Sequence, residues 1–155
     1  MIFKKAEYTD KVWLTEVMTA AFNYDTAIHR TDTKEDGPPG YDDGTLAEKM
    51  LRTADLLIYT IIVDQKRIGF LSFSVVGTLG TLEKFCLLPI YINQGFGTKA
   101  WQLLEEQQSC KKWVLETPDY SLTNHHFYEK CGFIRTGKKK YGDDSYSTIF
   151  EKECK

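Results

Sequence analysis

Between Leu56 and Leu88 three runs rich in Ile, Val, Phe and Tyr follow one another: Leu56–Val63, Arg67–Val76 and Leu79–Leu88, the last stopped by Pro89. Only Asp64-Gln65-Lys66 and Gly77-Thr78 separate them. Connections of hairpin length between such runs predict an antiparallel meander. The third run then leads, within a few residues, into a glycine-bearing loop and a helix.

Other elements surround this block. Ile2–Glu7 alternates like a short strand, and from Asp10, a good N-cap, Leu14, Val17, Met18, Ala21 and Phe22 recur at helical spacing. Asn23–Gly44 holds Gly37-Pro38-Pro39-Gly40 and the acids Asp25, Asp32, Glu35, Asp36, Asp42 and Asp43. It reads as a long loop, either a functional lid or a mobile segment. Thr45–Arg52 reads as a short helix with Thr45 as its cap and Leu46, Met50 and Leu51 inward. Gly97–Gln108 is helical, Trp113–Glu116 a short apolar strand, and Leu122–Cys131 a helix with Gly132 as its C′ residue. Phe133–Lys138 and Tyr146–Glu151 close the chain as a hairpin around Tyr141-Gly142-Asp143-Asp144. The order β-α-α-β-β-β-α-β-α-β-β predicts a single mixed α/β domain over residues 1–155.

Composition narrows the function classes. With 155 residues, 42% of them apolar and 27% charged, the chain has ordinary globular make-up. A net charge of −2 argues against a broad grip on nucleic acid, which requires a basic face. Lys138, Lys139 and Lys140 form the one basic triplet and fit a solvated turn. No apolar run approaches the roughly 18 residues of a membrane span. The opening Met-Ile-Phe-Lys-Lys-Ala-Glu lacks a signal-peptide pattern, so a cytoplasmic location with no membrane partner is expected. Cys86, Cys110, Cys131 and Cys154 are widely spaced, without a C-x-x-C pair, which favours reduced thiols and no metal site.

Two segments carry chemistry. In the first, Leu82 to Trp101, the strand passes Pro89 and the loop Ile92-Asn93-Gln94-Gly95-Phe96-Gly97-Thr98 before the helix begins. The first amides of a helix have no internal partner and its dipole favours negative charge, so this is an anion site suited to a pyrophosphate. Gly95 and Gly97 would let the backbone approach a ligand. A plain strand-turn-helix is the competing reading. No Gly-Lys-Ser/Thr follows, and three glycines at dinucleotide spacing are missing, so the two better-known phosphate loops are excluded. The second segment runs from Trp113 to Phe133. In it Asn124 and Tyr128 lie four apart and share a helix face.

Taken together the two segments resemble the GNAT superfamily of N-acetyltransferases, most sharply over Leu82 to Phe133. The resemblance implies a GNAT-like α/β (α+β) fold with a mixed, mostly antiparallel sheet flanked by helices. Its strands would be parallel where Leu79–Leu88 meets Trp113–Glu116, with the cofactor where those strands splay apart. It implies acetyl-CoA as cosubstrate, with the amides of Ile92, Asn93, Gln94, Gly95, Phe96, Gly97 and Thr98 on the coenzyme A pyrophosphate. The edge of Phe85, Cys86, Leu87 and Leu88 would pair with the pantetheine arm. Asn124 would contact that arm, and Tyr128 would protonate the departing thiolate. Ile92 departs from the pattern, since the family's loop usually begins with Gln or Arg there; Gln94 is one candidate to compensate.

The implied reaction is direct attack of a primary amine, on a small molecule or peptide, upon the thioester. Glu83 is the first candidate base, because the family's base often lies on this strand, against the alternative of a strand-face carboxylate paired with Lys. Glu116 and the loop acids follow. Tyr128 reads either as the acid or as a core tyrosine beside Phe127 and Phe133, and Asn124 either as a ligand contact or as a first-turn residue. His125 and His126 lack metal-ligand spacing and read as packed or solvated, His29 lies in the long acidic loop, where it could meet substrate, and Cys86 reads as a small buried hydrophobe. Tyr41-Asp42-Asp43 reads either as a wall selecting cationic amines or as solvated loop. Two rival functions stay open: an acyl-CoA-binding sensor of the same fold without turnover, and an interaction domain without coenzyme. A homodimer through the C-terminal hairpin is also open.

Overall fold

The computed structural model describes residues 1–30, 36–143 and 145–154. All the strands join one seven-stranded sheet in the order β1-β2-β3-β4-β5-β7-β6. They are β1 (Ile2–Lys5), β2 (Leu57–Val63), β3 (Lys66–Val76), β4 (Leu79–Leu87), β5 (Lys112–Pro118), β6 (Ile134–Lys140) and β7 (Tyr146–Glu153). The helices are α1 (Lys11–His29), α2 (Thr45–Arg52), α3 (Phe96–Gln107) and α4 (Leu122–Lys130). The meander and the C-terminal hairpin form as the sequence implies. β4 and β5 pair in parallel while every other pairing is antiparallel.

β3 explains the layering. Its run Ile68-Gly-Phe-Leu-Ser-Phe73 is buried on both faces, as a central strand covered on each side must be. Phe70 points with Trp13, Leu14, Met18 and Met50 into a core beneath α1 and α2. Leu71 and Phe73 point the other way, into a core with Trp101, Leu104, Trp113 and Phe133 beneath α3 and α4. There Trp101 meets Trp113 edge-on at 5.3 Å and Phe133 at 4.9 Å, which locks α3 onto the sheet.

Three local expectations need correction. The stretch after Phe22 is not loop at once, because α1 continues to His29. Ala21, Asp25 and Ile28 keep the helical spacing. The buried Thr26 satisfies its hydroxyl by donating to the Phe22 carbonyl at 2.9 Å. Thr45 is not the cap of α2; Gly44 occupies that position, and Asp43 accepts the Thr45 amide at 2.9 Å and its hydroxyl at 2.6 Å. The lysine triplet lies in edge strand β6, where Lys138 pairs with Asp119 at 3.3 Å and Lys139 lies 3.9 Å from Glu116. Of the acids singled out in the sequence, Asp32, Glu35 and Asp144 lie outside the described residues.

Candidate active site between the parallel strands

The parallel ladder between β4 and β5 is short. It runs from Leu79 opposite Lys112 to Leu82 opposite Leu115 and then stops, although both strands continue. The separation begins at a register shift. On β4, Lys84 faces Ser72 and Leu82 faces Phe73, so Glu83 is an extra residue with no partner of its own on β3. Such a bulge bends its strand and increases the local twist. Beyond it β4 remains paired to β3 on one side, while the side toward β5 is an unpaired strand edge.

A cleft of about 590 Å³ opens at this gap. Its floor is Phe85, Cys86 and Leu87 of β4, and Pro118 closes β5. One end is the start of α3, where Ile92, Asn93, Gly95, Gly97 and Thr98 line the wall. The first bond within α3 is from Lys99 N–H to the Gly95 carbonyl at 3.2 Å, which leaves the preceding amides for a ligand. Gly95, with φ +84°, turns the chain into the helix at a left-handed position that a side chain resists. Gly97 lines the cleft and also has a packing role. A Cβ there would meet the Phe127 ring at 3.0 Å, so its bareness lets α4 approach α3.

Asn124, Phe127 and Tyr128 line the opposite wall, which fits the shared helix face read from their spacing. Asn124 donates to Thr117 Oγ1 on β5 at 3.4 Å, and Phe127 packs edge-on against Phe85 at 5.7 Å. The placement of Tyr128 follows from how α4 ends. Gly132, at φ +99°, donates to the Glu129 carbonyl at 3.0 Å, and Phe133 donates to the Tyr128 carbonyl at 3.0 Å. This is a Schellman closure, and its usual apolar contact is the Phe133 ring on Tyr128. The Phe-Tyr-Glu-Lys-Cys-Gly-Phe sequence is therefore a device that fixes Tyr128. The phenol is buried, yet its hydroxyl has no hydrogen-bond partner among the described residues. Burial, with smaller contributions from Cys86 and Cys131, pushes its ionisation well above the ordinary phenol value, so it remains a proton donor.

Other expected residues lie elsewhere. Leu88 packs against the α1/α2 core and donates its amide to Ile68 at 2.9 Å. Gln94 folds back, donating Nε2 to the Ile90 carbonyl at 2.6 Å, and Phe96 packs on Tyr91. These three do not line the cleft with the rest. Glu83 is exposed at the bulge and lines a separate hollow with Lys49, Ser72 and Lys84, apart from Tyr128. Cys86 is buried at the cleft floor, and burial pushes its thiol up to about 12, which suits an inert hydrophobe. Tyr41 is an anchor: it is buried against Phe22 and donates to Asn23 Oδ1 at 2.6 Å. His125 is buried, its Nε2 3.1 Å from the Pro118 carbonyl and its Nδ1 3.2 Å from the Arg135 guanidinium. Only the neutral Nε2–H tautomer satisfies both contacts.

The last wall of the cleft is absent from the sequence reading. Ala21, Phe22, Tyr24, Asp25 and Ile28 of α1 complete it. Asp25 is the only carboxylate among the described residues lining the cleft. The spacing Ala21, Asp25, Ile28 was the signal available for it, masked by the acids that follow. Among the described residues no cluster of His, Cys, Asp and Glu has the geometry of a metal site, and no helix is long and apolar enough to cross a membrane.

Comparison with known proteins agrees with this architecture. The fold is similar to that of the PaiA N-acetyltransferase of Thermoplasma acidophilum, solved in complex with coenzyme A, with a TM-score of 0.73. The two are 19% identical, over 99% of this chain and 98% of that one. It is equally similar, at a TM-score of 0.73 and 18% identity, to the ribosomal-protein-S18-alanine N-acetyltransferase of Escherichia coli, over 98% of this chain and 92% of that one. In sequence it is 30% identical over 103 residues to the uncharacterized protein YrkN of Bacillus subtilis (strain 168). That match takes in 64% of this chain and 55% of YrkN, so the chain spans about half the length of that relative. The model of the acetyltransferase (GNAT) family matches residues 18–133, which hold the β4 loop, α3, α4 and the α1 wall alike, and the chain belongs to that family.

Proposed function

We propose that this protein is an acetyl-CoA-dependent N-acetyltransferase, which moves an acetyl group to a primary amine of a small molecule or peptide by direct attack. One observation carries the reading. A single cleft joins an anion-binding helix start, an unpaired strand edge and a buried phenol that holds its proton. A coenzyme A thioester has the matching parts: a pyrophosphate, an extended amide arm and a leaving thiolate.

Each residue then has a task. The amides of Asn93, Gly95, Gly97 and Thr98 receive the pyrophosphate, and Ile92, whose amide donates to the Pro89 carbonyl at 3.1 Å, contributes apolar contact only. Lys130, one turn from His126 at the cleft wall, offers positive charge to the nearby phosphates. The free edge of Phe85 to Leu87 pairs with the arm as an added strand would, and its amides face the thioester oxygen. A well-aimed donor there contributes about 3 kcal/mol. Asn124 holds the arm from the α4 side, and Tyr128 gives its proton to the leaving sulfur. Glu83, on the other hollow, takes no part in this proton path.

Thermal unfolding with saturating acetyl-CoA tests the reading. Ligand at a hundred times its dissociation constant adds roughly 2.7 kcal/mol of stability, a rise of several degrees. A rise shared by coenzyme A and not by ATP supports the site, and release of free thiol on adding amines supports turnover. A rise with no thiol release from any amine would favour an acyl-CoA sensor. No rise would sink the reading altogether.

A further inference from the structure

We propose that Asp25 binds the ammonium of the acceptor and removes its proton. The proposal rests on the acetyl-transfer reading and assigns that reaction's base and the charge of its substrate.

The surroundings of Asp25 are unusual for a carboxylate. Its Oδ1 accepts the Ser121 hydroxyl at 2.8 Å. His29 stands behind, its Nε2 2.9 Å from Thr123 Oγ1 and 3.5 Å from Asp25 Oδ1. A carboxylate has about four acceptor positions, and the Ser121 hydroxyl takes one of them. The side chain is 16% exposed, and its exposure is toward the cleft. Among the described residues, neither Lys nor Arg pairs with it. A largely buried carboxylate whose one ion-pair neighbour among the described residues is the His29 ring suits a cation brought into the cleft. The neighbouring wall is Ala21, Phe22, Tyr24 and Ile28, which suits an ammonium carried on an apolar or aromatic stem.

The groups facing Asp25 agree with a base. On its own helix the titratable neighbours are His29 and the adjacent Tyr24. From the β5–α4 side come Tyr120 and His125, with His126 and Lys130 of α4 on the same cleft. Burial raises the Asp25 carboxyl above its ordinary value, against smaller opposing effects from Ser121, His29 and Thr123. That brings its proton affinity toward what a base needs.

The protons balance. The ammonium gives one proton to Asp25, and the neutral amine forms the N–C bond at the thioester carbon. As the C–S bond breaks, sulfur takes the Tyr128 proton. The surplus proton on nitrogen passes to the Tyr128 phenolate, and the proton on Asp25 leaves to solvent.

The full chain tests this with acetyl-CoA and four cationic probes: 1,4-diaminobutane, n-hexylamine, lysinamide and tyramine, with 1-hexanol as a neutral control. Thiol release with at least one amine is expected, and in Asp25→Asn its kcat/KM should fall at least 100-fold. The acidic limb of the kcat/KM profile should vanish with it, while the acetyl-CoA melting shift stays as in the wild type. In the wild type, carbodiimide coupling of glycine ethyl ester to Asp25, read by peptide mass mapping, should be slowed by the active amine and not by hexanol. Retention of kcat/KM within about threefold in Asp25→Asn, or equal coupling with and without amine, would overturn the proposal. So would no binding or turnover of any cationic probe while the acetyl-CoA shift persists. Loss of the acetyl-CoA shift in the wild type would instead remove the underlying reading.

Discussion

The amide of Phe133 donates to the carbonyl of Tyr128 at 3.0 Å, and the two rings meet edge-on with centroids 5.7 Å apart. A helix ending thus doubles as the mount of the cleft's phenol. Gly132 makes the turn at φ +99°, where an L side chain costs roughly 1–2 kcal/mol. Gly132→Ala should lower stability by about that amount and reduce kcat more than it raises KM, since it disturbs Tyr128 rather than the coenzyme loop. Melting curves and steady-state kinetics on the same sample check this; a normal kcat in a destabilised protein would refute the mount.

Removing only the Tyr128 hydroxyl is a cleaner probe of the acid. Tyr128→Phe keeps the ring contacts with Phe127, Phe133 and Phe150. Turnover should drop at least ~10-fold, with acetyl-CoA affinity unchanged. Because burial holds the phenol protonated, the wild-type profile should show no alkaline limb that disappears in this variant.

The two loop glycines should fail for different reasons. Gly95→Ala strains a left-handed residue with open space around it, whereas Gly97→Ala drives a methyl into Phe127 at 3.0 Å. Overpacking of this kind costs about 1–3 kcal/mol. Phe127→Leu, which makes room, should recover part of the loss in Gly97→Ala and none in Gly95→Ala. Calorimetric titration with coenzyme A, run beside the melts, reads the effect on the site.

Direct attack predicts a silent Cys86. With its thiol pushed up to about 12, almost none is thiolate at neutral pH. Iodoacetamide should label it slowly in the folded protein and rapidly after denaturation. Mass spectrometry of the protein quenched during turnover should find no acetyl group on Cys86; finding one would replace direct attack with an acyl-enzyme route.

Asp25 also sets a pH dependence of stability. Its folded value lies above the unfolded one, so the native state holds the proton more tightly. That contribution is fully present below the ordinary Asp value near 3.9 and is lost as pH rises through the raised folded value. Asp25→Asn should therefore be at least as stable as the wild type at neutral pH, with a flatter stability curve across that window. Urea melts from pH 4 to 8 measure it. Marked destabilisation at neutral pH would mean that Asp25 serves chiefly as a tether between α1 and Ser121.

Legibility in the sequence divides along the range of the interactions. Strand, glycine loop and helix are local matters, and so are the i, i+4 face of Asn124 and Tyr128 and the glycine that ends α4. Alternation, spacing and turn residues specify them, which is why the meander, the glycine loop before α3 and the helix carrying Tyr128 could be read directly. The cleft itself is not local. Its opening depends on a bulge that leaves Glu83 without a partner on β3 and sets it in a separate hollow, which no local spacing announces. Asp25 enters only because α1 crosses to α4 and meets Ser121, 96 residues further along the chain. The sequence by itself determined the elements and the chemistry each offers, since backbone propensity and periodicity act over a few residues. Which carboxylate stands with Tyr128 was decided by tertiary packing alone, through contacts that leave no mark in any local spacing.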